Sequence, residues 1–407
     1  MGRATGYDAH PKRQPTLPPP PHRGELPAAF RPPMRLLLTG ARAPATLELA
    51  RLAHRAGHEV HVADSVGLHL CRWSNCVAGV HRLPPPRFSY GAFVEGLARV
   101  VEAERIERVI PTCEEVFYVA HAAPRLGAPV LTDTPERLAR WHDKGRFVET
   151  AAAAGLAVPE THRLLSIGDA VGLPQTGWVF KPAFSRFSTR VRFVKPGDTP
   201  PEDVRPTPSD PWVAQAWLDG PTLSTYSVAH GGRLAAHATY RADATAGPAG
   251  AAVSFVGEDH AGTEAWVDQF ARATGATGQL AFDFIETPAG VAAVECNPRL
   301  TSGLHLFRGH SEVVAALLGP TPSVLRPPPG RRFLSRLALR HYGHAPRPGH
   351  DLIHDAADPW PHRLQGLVWL SVVGRALLHR IDPRAVTTRD IEWNGEPLPD
   401  LAAAPAR

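Results

Sequence analysis

The sequence predicts an α/β protein: an N-terminal doubly wound parallel-sheet domain, then an α+β core of antiparallel strands, then a mostly helical C-terminal region. Three observations carry this. Short apolar runs alternate with helix-period segments between Met34 and Thr134, the pattern of a parallel sheet with helices on its faces. From Trp178 onward strand-like runs follow one another, separated by turn residues, as in hairpins. Beyond Arg331 the strand pattern fades, and 364–381 is a long, largely apolar helical segment.

Each element has its own signal. Residues 1–33 contain nine prolines and no apolar period, so they are expected to form a disordered leader, with Met34 opening the folded part. Arg35-Leu36-Leu37-Leu38-Thr39-Gly40 reads as a buried strand, and 45–56 as a helix with Leu47, Ala50 and Leu52 inward. Gly57-His58 ends that helix, and Glu59–Asp64 is the next strand. A helix at 91–104 precedes the strand Val109–Thr112, and a further helix precedes Pro129-Val130-Leu131. The turn after the first strand, Thr39-Gly40-Ala41-Arg42-Ala43-Pro44, lacks the G-x-G-x-x-G spacing, which argues against a dinucleotide site there. Residues 135–154 read as one helix, closed by Gly155 with Pro159 beyond. Strands are expected at 178–181, 191–194, 212–218, 223–228, 233–240, 279–286 and 290–296, with a helix at 263–274. The stretch 197–211 reads as a loop, 242–251 as a mobile Ala/Gly-rich segment, and 319–331 as a Pro-dense linker. The expected divisions are therefore 1–33, 34–134, 135–319 and 320–407.

Composition narrows the function. The 407 residues carry a net charge of +5, with 43% hydrophobic and 20% charged residues, an ordinary globular balance. No apolar run is long enough for a spanning helix, and no secretory h-region stands at the start. The basic residues are dispersed and accompany no nucleic-acid motif. Neither nucleic acid nor a membrane is therefore expected as a partner, and a homodimer is left open. Cys71, Cys76, Cys113 and Cys296 are too few and too scattered for a disulfide framework, so a reducing cytoplasm is the expected location. Of 44 basic residues only Lys12, Lys144, Lys181 and Lys195 are lysine. Where arginine does nearly all the solvating, a retained lysine points to use of its compact ammonium, which binds phosphate as a point charge.

The chemistry concentrates in Phe282-Asp283-Phe284-Ile285, a turn at Pro288-Ala289-Gly290, and Val294-Glu295-Cys296-Asn297-Pro298-Arg299. In a hairpin Glu295 and Asn297 share a face, and Asp283 reaches the same point from the facing strand. Two carboxylates and an amide oxygen are hard ligands suited to Mg²⁺. Their apolar neighbours imply burial, and buried carboxylates need partners. Arg299, with the same strand parity, presents a planar guanidinium to a phosphoryl group or a carboxylate. Cys296 points the other way and reads as a core thiol.

With these residues in order, 34–319 resembles the ATP-grasp superfamily, in its carbamoyl-phosphate-synthetase-like and biotin-carboxylase-like branch. Asp143-Lys144 looks like the segment that opens the fold, and Trp178-Val179-Phe180-Lys181-Pro182 like the strand carrying the second phosphate lysine. Ala183 to Thr189 is then the loop that closes over the triphosphate. Gln215-Ala216-Trp217-Leu218-Asp219-Gly220 is similar to the hinge strand whose backbone meets adenine, and Glu295, Asn297 and Arg299 fall on the E-x-N-x-R signature. The resemblance implies that Lys144, Lys181, Ser185, Ser188, Gln215, Ala216 and Leu218 bind ATP. It further implies that Asp283, Glu295 and Asn297 hold Mg²⁺, two ions with Mn²⁺ able to substitute, and that Arg299 and Lys181 serve catalysis. The implied reaction is ADP-forming ligation of a carboxylate to an amine through an acylphosphate. A carboxylase or thiol ligase of the same fold, and a non-catalytic ATP-binding regulator, are the alternatives. Two features depart from the pattern: the 183–189 loop has no glycine, and Pro221-Thr222 stands where relatives often carry a ribose-binding Glu.

Overall fold

The computed structural model describes residues 32–399 apart from 175, 187–189 and 248–249, and the side chain of Arg384 is likewise not described. The 1–31 part of the expected leader and Ser188 lie outside the described residues. The first apolar runs form a four-stranded parallel sheet of β1 (Arg35–Thr39), β2 (Glu59–Asp64), β3 (Gly79–Arg82) and β4 (Arg108–Ile110), in the order β3-β2-β1-β4. Helices α1 (Pro44–Arg55) and α2 (Tyr90–Ala103) lie between them in the chain, and α3 (Val116–Ala122) follows β4. Leu36 and Leu38 face one core with α1, while Leu37 faces another with α2, so the strand is apolar on both sides, as a doubly wound sheet requires. The expected strand at 129–131 is reduced to one parallel bridge, Val109 to Val130.

The expected single helix 135–154 is two, α4 (Pro135–His142) and α5 (Lys144–Ala153). Asp143 between them is extended (φ −69°, ψ 111°), and its carboxylate accepts from the N–H groups of Gly145 and Arg146. An aspartate that satisfies the free donors of a new helix start competes with helix continuation. The break puts Lys144 at the first position of α5, with its N–H donating to the Ala183 carbonyl.

A four-stranded antiparallel sheet follows, of β5 (Thr161–Leu164), β6 (Trp178–Pro182), β7 (Arg192–Val194) and β8 (Trp212–Ala216), ordered β5-β8-β6-β7. The largest sheet contains β9 (Thr222–His230), β10 (Arg233–Thr245), β11 (Ala252–Glu258), β12 (Gly278–Thr287), β13 (Gly290–Asn297), β14 (Arg332–Leu334) and β15 (His350–Asp351), in the order β13-β12-β9-β10-β11-β14-β15. Strands β3, β5, β11, β14 and β15 were not expected. The segment read as mobile, 242–251, instead continues β10 to Thr245, with Ala244 buried and register shifts on either side of it. Alanine and polar residues around an irregular ladder carry too little of the two-residue period to be legible as strand.

Packing fixes the hairpin. Helix α6 (Ala261–Thr274) lies beneath β12 and β13, and Trp266, Phe270, Phe147, Phe282 and Phe284 form one aromatic cluster. Phe282 and Phe284 are buried below the sheet, which turns Asp283 to the opposite face. Burying each phenyl stabilises by about 1.5–3 kcal/mol, so a one-residue slip in register would expose both rings. Farther on come α7 (Glu312–Leu318), α8 (Arg336–His341) and α9 (Trp360–His379). The last covers most of the 364–381 segment read as a long, largely apolar helix. Only Pro361, Val372 and Ala376 are buried, while Leu370, Leu377 and Leu378 are exposed. Among the described residues no helix is long and apolar enough to cross a membrane.

Candidate active site

The hairpin supplies the acidic face. Asp283 and Glu295 are directly opposite in the ladder, and Ala281 pairs with Asn297. After Asp283 the register shifts by one, leaving Val294 as an extra residue. Such a bulge releases a backbone group from the ladder, and the Val294 carbonyl accepts from Lys181 Nζ at 3.3 Å. Burial, then the facing Glu295, push the Asp283 carboxyl up to about 6, although Ser224 donates to it at 2.6 Å. The Asn297 amide nitrogen lies between the two acids, 3.3 Å from Glu295 Oε1 and 3.5 Å from Asp283 Oδ2. A cation among these oxygens relieves the same repulsion more fully, so the donor set fits Mg²⁺. Cys296 points into the aromatic core, as expected, and burial raises its thiol far above the ordinary value.

The two lysines converge on this face from different elements. Lys144, buried at the start of α5, lies 3.4 Å from Glu295 and donates to the Ser185 carbonyl at 3.1 Å. Lys181, buried on β6, donates to Gln215 Oε1 at 2.8 Å. Burial pulls the Lys181 ammonium down to about 8; Glu295 opposes this and Lys144 adds to it. Gln215 thus holds a lysine with its side chain, and its amide also donates to Thr161 at 3.2 Å. The Ala216 N–H is taken by the Glu160 carbonyl and the Trp217 N–H by that of Gly177. The chain leaves the sheet at Trp217, so Leu218 stands just beyond it. Gly220 follows where any Cβ would come within 1.9 Å of the Glu286 carbonyl oxygen, and glycine permits that approach.

Arg299 reaches the edge of the acidic face. One nitrogen lies 2.7 Å from Glu114 and donates to Asn297 Oδ1 at 3.2 Å. Glu114 went unrecognised in the sequence. It sits in the turn after β4, and Arg186 of the 183–190 loop lies 2.5 Å from its other oxygen. Burial alone would raise the Glu114 carboxyl, but Arg186 and Arg299 outweigh it and hold the group well below the usual range. A pair of glutamates at the carboxyl end of a buried parallel strand was the available signal. Arg186 is turned toward Glu114, His142, the Trp393 carbonyl and Asn394. A cavity of about 930 Å³ opens beside Ser185 and Arg186, bounded by Arg146, Arg163, Arg190 and Trp393, and not over the carboxylates.

No protein-family model matches the sequence, and no curated protein does. Solved structures do match. An L-amino acid ligase from Bacillus licheniformis is 16% identical, with a TM-score of 0.55 over 69% of this chain and 68% of that one. N5-carboxyaminoimidazole synthetase from Staphylococcus aureus, complexed with ADP, is 12% identical, with a TM-score of 0.60 over 78% of this chain and 91% of that one. A biotin carboxylase–β,γ-ATP complex from Campylobacter jejuni is 15% identical, with a TM-score of 0.54 over 71% and 72%. At these identities the likeness defines the fold. It is the ATP-grasp fold, in the form shared by carboxylate–amine ligases and biotin carboxylases.

Proposed function

We propose that this chain is an ATP- and Mg²⁺-dependent ligase. It activates a small-molecule carboxylate as an acylphosphate and joins it to an amine, releasing ADP and phosphate. The observation that supports this most is the convergence of Lys144, Lys181, Asp283, Glu295 and Asn297, from a helix start, a strand end and a hairpin, with Arg299 at their edge. The ADP- and ATP-bound relatives of the same fold support a nucleotide here.

In this reading Lys144 and Lys181 hold the phosphates, with Ser185 and Ser188 in the loop that covers them. The strand end at Gln215, Ala216 and Leu218 takes the adenine edge. With the Ala216 N–H already engaged, Leu218 offers the donor. Asp283, Glu295 and Asn297 hold Mg²⁺, two ions with Mn²⁺ able to substitute, which neutralise charge on the phosphates. Arg299 faces the transferring phosphoryl group, and its fixed fork holds oxygens that gain charge. The chain's task is positioning and charge neutralisation, so no nucleophilic triad is needed. All four cysteines are free, in keeping with a reducing cytoplasm as the place of action.

The test uses an ¹⁸O-labelled acid. A panel of carboxylic acids and amines is first screened for phosphate release. For an acid that supports turnover, one label must appear in the released phosphate. Label retained wholly in the organic product, or AMP and pyrophosphate as nucleotide products, overturns the mechanism. Turnover that needs bicarbonate in place of the carboxylic acid, or a thiol in place of the amine, overturns the assigned substrates, and ATP binding with no acid-dependent turnover overturns catalysis.

A further inference from the structure

Away from the nucleotide face, one edge of the N-terminal sheet gathers nitrogen ligands. His61 on β2 and His81 on β3 lie on the same face, since His61 pairs with Gly79 and Ala63 with His81. Their rings stack at 5.4 Å with 14° between planes, and His61 Nδ1 lies 3.1 Å from His81 Nε2. Glu104, just beyond α2, brings a carboxylate oxygen to 3.9 Å from the same Nδ1. The three ligand atoms all lie within 4.8 Å of one another.

We infer that His61, His81 and Glu104 form a site for a borderline divalent metal ion, with Zn²⁺ as its occupant. Three features of the geometry carry this. First, the other nitrogen of buried His61 is 3.0 Å from Glu59 Oε1. A carboxylate there takes the Nε2 proton and leaves the Nδ1 lone pair aimed at the cluster, the arrangement that orients metal-bound imidazoles. Second, at ordinary Zn–N lengths two nitrogens 3.1 Å apart subtend about 100° at one metal, between octahedral and tetrahedral angles. Third, Gly79 keeps the meeting point open. A Cβ there would lie 2.4 Å from His61 Nδ1 and 2.9 Å from His81 Nε2. Gly79 is not among the residues with positive φ, so its backbone has no need of glycine; the space has.

Two imidazoles and one carboxylate suit zinc better than magnesium, which prefers all-oxygen sets such as Asp283 and Glu295. In the metal-bound form His81 carries its proton on Nδ1, and water completes the coordination. The ion joins β2, β3 and the C-terminal end of α2, so it stabilises the fold by mass action. Arg35, 3.4 Å from Glu59 and donating to the Glu104 carbonyl at 3.4 Å, offsets the local negative charge.

The experiment titrates the full chain, in excess Mg²⁺ to occupy the oxygen cluster, with Co²⁺ as the probe and Zn²⁺ as competitor. The expected result is one equivalent showing the visible absorption of low-symmetry, histidine-ligated Co²⁺, displaced by Zn²⁺. His81→Ala abolishes it and Glu104→Gln weakens it, while His354→Ala, elsewhere on the surface, leaves it unchanged. Glu59→Gln lowers Zn²⁺ affinity roughly 10–100-fold. Failure of the wild-type chain to bind an equivalent overturns the site. So does unchanged binding in both His81→Ala and Glu104→Gln, each checked for folding by circular dichroism.

Discussion

The β12–β13 hairpin and the loop after β6 form opposite sides of the candidate site, and they are held in place by different means. Asp283, Glu295 and Asn297 take their positions from strand alternation, with Phe282, Phe284 and Cys296 anchored in the core on the other face. The described residues of the loop are held from elsewhere in the chain. Phe184 packs on His142 and Trp393, and Arg186 is tied to Glu114, Trp393 and Asn394. Gly395 lies so close that a Cβ would fall 2.6 Å from the Phe184 ring. The acidic face is thus set by its own local sequence, and the loop by residues far away in the chain.

Substitutions at the two regions should therefore differ in kind. On the acidic face, Glu295→Gln keeps shape and deletes charge. Turnover should fall roughly 10²–10³-fold, comparable to the loss of one oxyanion donor, with melting temperature unchanged or raised. Arg299→Ala should lose a similar factor with ATP affinity largely kept, and Arg299→Lys should recover little. Near-normal ligation by Glu295→Gln would remove the metal assignment.

Lys181→Met should weaken ATP binding roughly 10–100-fold, the worth of a charge-assisted hydrogen bond. The same group gives a pH signature. With the ammonium lowered to about 8, ATP affinity of the free protein should fall as pH rises through 8, and Lys181→Arg should flatten that limb. Asp283 acts oppositely: raised to about 6, it must lose its proton before it binds Mg²⁺, so metal affinity should fall as pH drops below 6. The folded form holds that proton more tightly than the unfolded chain, whose value is near 4. Metal-free stability should therefore decline as pH rises from about 4 to 6. Asp283→Asn should raise the melting temperature at neutral pH by a few degrees.

The smallest effects belong to the loop. Trp393→Ala should raise the KM for ATP several-fold and speed proteolytic cleavage within 183–190, with kcat little changed. Asn394→Ala, removing one hydrogen bond worth about 0.5–1.5 kcal/mol, should do the same more weakly. A loss of turnover at Trp393 equal to that at Glu295 would erase the distinction between the two regions.

The same division explains what was legible in the sequence. The hairpin, both lysines and the strands β1, β2 and β4 carry strict periods or sharp ends, and these survive in a one-dimensional reading. Glu114 and the clamp by Trp393 and Asn394 do not. Their roles arise from contacts between residues far apart in the chain, which no local pattern encodes. The break at Asp143 was masked because an N-cap aspartate inside an otherwise helical run looks like a tolerated polar residue. The five missed strands are three to seven residues long or, for β15, two, and they are held mainly by their partners in the sheet.

The clamp also has a meaning in time. A chain is synthesised from its N-terminus, and Arg186 precedes Asn394 by 208 residues. At synthesis rates of about 5–20 residues per second, that interval is roughly 10–40 seconds. By the time Asn297 is made, the acidic hairpin has all its parts, while the loop opposite still lacks the segment that holds it. A nascent chain at that stage has the acidic half of the candidate site and lacks the Trp393–Asn394 segment that holds Arg186. Emergence of the Trp393–Asn394 segment, rather than of the hairpin, is then the event that seats the loop.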